Sequence, residues 1–177
     1  MGIFDKFKSK SVPKSYLAVN VEFTEEEIEA IDLCRERFAD IANADAPPRM
    51  KLFVQPKVKD AMIARGLTEY AEELLTMKLR ECSSSEEAAL LMDKAINAQM
   101  KAYTIHNLPA YLARVADLFE LSGDAAEARK FFSNFLREEA KFKPDEIDTM
   151  FLDQPGFDIP KAIALAKITA LAKKEAQ

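Results

Sequence analysis

Acid–base chemistry at neutral pH runs most often through a histidine oriented by a carboxylate, and this chain offers one histidine, His106. No acidic residue stands one helical turn before it, where Tyr103 lies, so the sequence supplies no oriented partner. The expectation for His106 is therefore a structural or solvent-facing residue in a loop between helices. The cysteines, Cys34 and Cys82, lie far apart in stretches that read as helical. Two such residues make no disulfide framework, and they fit a reduced, cytoplasmic setting. Carboxylates at Glu25, Glu29, Asp32 and Glu36 recur at helical spacing, but no histidine joins them, so they read as a solvated face rather than a metal site. The acidic run from Asp145 to Asp158 lacks the Asp-x-Asp-x-Asp-Gly order and the closing Glu of a calcium loop. A glycine-rich phosphate loop, a nucleophile elbow and a Cys-x-x-Cys pair are all absent from the sequence. No catalytic residue, metal ligand or cofactor is assigned on these grounds.

The elements that would position any site are helices. Only four glycines occur in 177 residues, too few for the turns of an all-β fold, and a composition of 49% hydrophobic and 31% charged residues is that of a folded globular chain. Thr24 with Glu27, Ser84 with Glu87 and Asp124 with Glu127 have capping-box spacing and predict three helix starts. After Thr24, the residues Ile28, Ile31, Cys34, Phe38 and Ile41 form one apolar face, and Pro47-Pro48 ends that unit. A short helix is predicted from Pro56 to Arg65 with Gly66 as its left-handed stop, then a second over 69–81 capped by Thr68. Further helices are predicted over about 85–104, 109–121 and 125–142, with an amphipathic helix over 160–175 carrying Ile163, Ala166, Ile168 and Leu171 on its apolar face. Before Thr24, alternation of Leu17, Val19, Val21 and Phe23 predicts an extended segment, whose only evident partner is Leu52-Phe53-Val54.

The expected organisation is an N-terminal arm and extended segment, 1–23, followed by one helical domain, 24–177. That domain divides into a first helix over 24–46, hairpins over 56–143 and a C-terminal helix over 158–176. The stretch Leu112 to Phe132 adds a pattern. Leu112, Val115 with Ala116, Phe119, Gly123, Ala128 and Phe132 have the spacing at which small residues let two helices approach and aromatics fill the gap between them. With a weaker echo 40 residues earlier (Leu75, Leu79, Ser83, Ala88 and Met92), this resembles a tetratricopeptide repeat over about 69–143. The resemblance implies an all-α fold of antiparallel hairpins, packed as a small repeat, and an ordinary helical bundle remains the alternative. It also implies a concave groove lined by Tyr70, Glu73, Met77 and Arg80 and by Ala113, Asp117 and Glu120, a set suited to a basic or amphipathic peptide. The lysine and asparagine of the family's carboxylate clamp are not matched.

Charge is unevenly spread. Residues 1–14 and 161–177 each carry +3, so with −5 overall the stretch between them holds −11. An acidic body disfavours nucleic acid. No apolar run is long enough for a membrane span, and the N-terminus has neither a secretory h-region nor a myristoylation signal. Ile3, Phe4 and Phe7 among four lysines suit docking to an anionic membrane surface or to a neighbour's acidic body. The expected function is a non-catalytic protein–protein interaction or scaffolding module. A self-assembling or membrane-surface structural protein using this arm is the alternative, and an enzyme or ligand-binding bundle with dispersed residues is a third reading.

Overall fold

The computed structural model describes residues 21–44, 56–145, 147–149, 170 and 173. The N-terminal arm with Ile3, Phe4 and Phe7, the Leu52-Phe53-Val54 run and most of the C-terminal helix predicted over 160–175 lie outside the described residues. Five helices account for most of what is described: α1 (Glu25–Ala44), α2 (Pro56–Glu73), α3 (Ser85–His106), α4 (Pro109–Ser122) and α5 (Ala125–Glu139). There is no strand among the described residues; Val21 and Phe23 instead pack, partly buried, against the helical core.

Local chemistry explains the helix ends. Thr24 Oγ1 accepts from the Glu27 amide at 3.2 Å, and the Glu27 carboxylate accepts from the Thr24 amide at 2.9 Å, so two orphan donors are satisfied reciprocally. Ser84 Oγ accepts from the Glu87 amide at 3.2 Å, and Glu87 reaches back one residue further, to the Ser83 amide. Asp124 Oδ1 caps the Glu127 amide at 3.0 Å, while the Glu127 side chain turns to Lys130 instead. Gly123 adopts φ 87°, and the amides of Gly123 and Asp124 donate to the carbonyls of Glu120 and Phe119, which is a Schellman turn. Pro109 opens α4 where a missing amide costs nothing.

Two of the sequence expectations change here. Residues 56–81 are not a short helix and a second capped one. They form one continuous helical run, with α2 passing into a π-turn at Leu74–Lys78 and a last turn at Leu79–Glu81. Gly66 is not a left-handed stop but a contact residue: a Cβ there would stand 2.6 Å from the Cα of Ile31 in α1. Thr68 caps nothing; it is fully buried, with its hydroxyl 3.4 Å from Gln99 Oε1 of α3. The second change concerns α5. The repeat alignment gave the packing aromatic as Phe132, whereas Phe131 stacks on Phe119 with centroids 5.3 Å apart and Phe132 stays 51% exposed.

Extensive packing runs between sequence neighbours, α1 on α2, α2 on α3, α3 on α4 and α4 on α5. The main core lies along this order, from Ile31 through Leu67, Leu74, Ile96 and Tyr111 to Phe119 and Phe131. A smaller cluster of Val58, Ala61, Met62 and Ile147, with Phe38 packed against it, lies apart from the main core.

The α1–α2 crossing leads to a direct test. Gly66→Ala gains about 1 kcal/mol of helix propensity, but its methyl meets backbone, which no rotamer change relieves. We expect a net loss of about 1–3 kcal/mol in urea unfolding, and a variant at least as stable as the parent would show that the helices are free to part.

Candidate functional site

The residues expected to line a groove fall into two groups. Tyr70 does not line a surface. Its ring is buried under the N-terminus of α1, its hydroxyl donates to the Glu26 carboxylate, and Lys78 lies 6.0 Å above the ring. Burial first, and the bond to Glu26 second, push this phenol well above its ordinary value. The sequence could not reveal this, because the covering element is 44 residues away. Glu73, Met77 and Arg80 are exposed on the outer side of α2 and its continuation, with Met77 at 62%. The π-turn buries Leu74 and Leu75 and leaves Met77 outside. On α4, Glu120 is exposed and Ala113 and Asp117 are half-buried.

An ion pair joins the two helices that carry these residues. Arg114 donates to Glu72 at 3.2 Å, next in sequence to Ala113 and Glu73 respectively, and both partners are largely buried. Burial raises the Glu72 carboxyl despite the pull of Arg114, and lowers the Arg114 guanidinium despite Glu72. Along the same side of α2, Glu69 takes Arg65 at 2.9 Å and Arg37 of α1. Glu73 and Glu120 make no ion pair among the described residues. Cys34 sits beneath this edge, fully buried, and burial reinforced by Glu69 pushes its thiol up to about 11, so it is poorly nucleophilic.

A second polar cluster has no counterpart among the residues expected from sequence. His106 ends α3 rather than lying in a loop, is 1% exposed, and its Nε2 lies 3.1 Å from Asp148 Oδ1. Lys57, at the start of α2, donates to Asp148 Oδ2 at 2.7 Å and to Asp145. Asp145 and Asp148 also cap each other's amides, at 2.9 and 3.1 Å. Burial alone would raise the Asp148 carboxyl, but the bonds with His106, Lys57 and the Asp145 amide outweigh it and hold it far below the usual range. Burial likewise works against the Lys57 ammonium, and its two carboxylates more than offset that. With Ile147 seated on Val58, Ala61 and Met62, the cluster acts as a strap that ties the chain after α5 back onto α2 and α3.

Asp145-x-x-Asp148 has capping-box spacing, a signal the sequence carried; its partners 42 and 91 residues away it did not. A cleft of about 370 Å³ lies nearby, lined by Tyr103, Asn107, Pro109, Glu138, Lys141 and Phe142, and neither His106 nor Asp148 opens into it. Among the described residues no group of His, Cys, Asp and Glu is arranged to hold a metal ion, and no helix is long and apolar enough to cross a membrane. Comparison with family models, curated proteins and solved structures gave no match to the chain.

Two carboxylates generate opposite pH predictions. Asp148 is depressed, so its stabilising contribution is present above the unfolded value, near 4, and is lost as pH falls. Asp148→Asn should cost roughly 2–4 kcal/mol at pH 7 and progressively less in acid, read from urea midpoints. Asp60 is buried with no hydrogen-bond partner to Oδ2, and burial pushes it up to about 6. Its contribution is full below the unfolded value and is lost as pH rises through about 6. Asp60→Asn should therefore gain on the parent by up to about 2 kcal/mol between pH 4 and pH 7, and a difference that does not change with pH would disprove the assignment.

Proposed function

We propose that this chain is a non-catalytic protein–protein interaction module of the helical-repeat kind, which holds a basic or amphipathic segment of its partner along the outer faces of α2 and α4. The observation that carries this reading is the packing order. Each helix makes its extensive contacts with the helices before and after it, as in a stack of repeats, where a closed bundle would bring its first and last helices together. The Schellman turn at Gly123, buried Ala116 and the Phe119–Phe131 stack support a tight antiparallel hairpin of α4 on α5. In this reading the repeat resemblance rests on packing order, and its register differs, since Phe131 takes the place its alignment gives to Phe132.

The Glu72–Arg114 pair links α2 to α4, and in this reading Glu73, Met77, Ala113, Asp117 and Glu120 share the surface around that link. Met77 offers an unbranched, adaptable apolar contact, and Glu73 and Glu120, which have no ion-pair partner among the described residues, favour a basic ligand. Arg80 flanks this face, and Tyr70 supports it from beneath. The buried strap around His106 serves the fold in this reading, because its groups are spent on one another.

The test is to select basic amphipathic peptides on the full chain and measure their affinity for three variants. Met77→Asp and Glu73→Arg should weaken binding about tenfold or more without lowering Tm, and Leu90→Asp, at an exposed position of α3, should leave it unchanged. Binders indifferent to both Met77 and Glu73 would overturn the assignment of this face.

A further inference from the structure

Helix α5 leaves two large apolar side chains in solvent. Phe132 and Leu136 are 51% and 53% exposed, and the extensive packing of α5 among the described residues is with α4 alone. Phe131 takes the core contact, so the register of the helix turns Phe132 outward. Its ring lies 5.9 Å from that of the half-buried Phe135, which gives it a fixed neighbour. Apolar residues scattered singly are ordinary on a surface, whereas two adjoining ones on a helix form the centre of a contact patch.

The charges beside them say what fits. Arg129, Phe132, Leu136 and Glu139 follow one another at steps of three, four and three residues, which puts them on one face about 80° wide. All four are exposed. The set is symmetric about Asn134, with Phe132 and Leu136 two residues to either side and Arg129 and Glu139 five. A second copy running antiparallel therefore brings Phe132 level with Leu136 and Arg129 level with Glu139, twice over, as an isologous contact requires. Parallel pairing would instead set like charges together at both ends. A ligand of one charge sign would satisfy one end of the face and be repelled at the other, and an anionic membrane surface meets Glu139 in the same way.

Both charges stand apart from the ion pairs of the helix itself. Lys130 and Arg137 are taken by Glu127 and Glu138, whereas Arg129 donates through Nε to the Ala125 carbonyl at 3.3 Å and, like Glu139, makes no ion pair among the described residues. Glu139 is also the last residue of α5, where the helix dipole disfavours a carboxylate. Antiparallel pairing supplies a cation at that place.

We propose that α5 is a dimerisation helix, which pairs antiparallel with α5 of a second copy about a twofold axis level with Asn134, Phe132 of each chain lying against Leu136 of the other and Arg129 against Glu139. This rests on a different helix from the peptide-binding reading and does not depend on it. The contact is small, below the roughly 1,200 Å² of a standard interface, so the dimer is weak and reversible, and its exposed ion pairs make it salt-sensitive.

The experiment is sedimentation equilibrium of the full chain over a concentration series at low salt. The parent should pass from monomer toward dimer, and Phe132→Ser with Leu136→Ser should weaken association about tenfold or more while Tm holds, since both residues are exposed. Arg129→Glu and Glu139→Arg should each weaken self-association severalfold, because each sets like charges opposite one another at both ends. Mixed together, these two variants should associate more tightly than either does alone, and the two changes in one chain should return it to the parent. Glu139→Arg suits the C-terminus of α5, so its effect is not one of unfolding. A parent that stays monomeric up to about 1 mM, association indifferent to Phe132 and Leu136, or charge variants that gain nothing on mixing would each overturn the proposal.

Discussion

The structure depends first on how closely α1 approaches α2. At Gly66 the two backbones come near enough that a single methyl group has no room, so the crossing point of these helices is set by the absence of a side chain. From that crossing, α1 reaches in three directions. Its N-terminus covers Tyr70, with Glu26 taking the phenol and Glu27 taking Lys101 of α3 at 2.6 Å. Its middle buries Ile31 and Cys34, and its second half brings Arg37 to Glu69 and Phe38 to the smaller cluster that receives Ile147. A looser crossing would separate all of these at once.

Several ion pairs in this molecule fasten elements that are not neighbours in sequence. Glu72–Arg114 links α2 to α4, Glu27–Lys101 links α1 to α3, and Lys57 and His106 bind the strap. Helices held only by contacts with their sequence neighbours open more readily at the ends of the chain. Long-range charged contacts, several of them largely buried, counter that tendency, since in low dielectric a charge left unpaired is costly. Asp60 is the exception. It is buried without such a partner, and the native state carries a penalty for it at neutral pH.

This division of labour separates the surfaces as well. Fastening groups lie inside, so the outer faces of α2 with α4 and of α1 are left with different characters. The first is mixed, with the exposed Met77 near Glu73, Arg80 and Glu120. The second is acidic, with Glu25, Glu29 and Glu36 exposed between Ile28 and Leu33.

What the sequence determined by itself is everything encoded within about a turn of helix. The N-caps at Thr24, Ser84 and Asp124, the left-handed Gly123 and Pro109 at a helix start are local devices, and each acts where its spacing placed it, although only Thr24 with Glu27 completes a reciprocal box. Glycine at position 66 was ambiguous, because the same residue type serves a helix stop and a helix contact, and only the passage of Ile31 chose between them. In α5 the repeat spacing gave the packing position to Phe132, whereas the structure stacks Phe131 on Phe119. Tyr70, His106 and Asp148 were beyond local reading altogether. Their partners lie 44, 42 and up to 91 residues away, and whether a polar group becomes a surface contact, a buried strap or a support depends on which distant backbone folds over it, a choice made by the packing of whole helices.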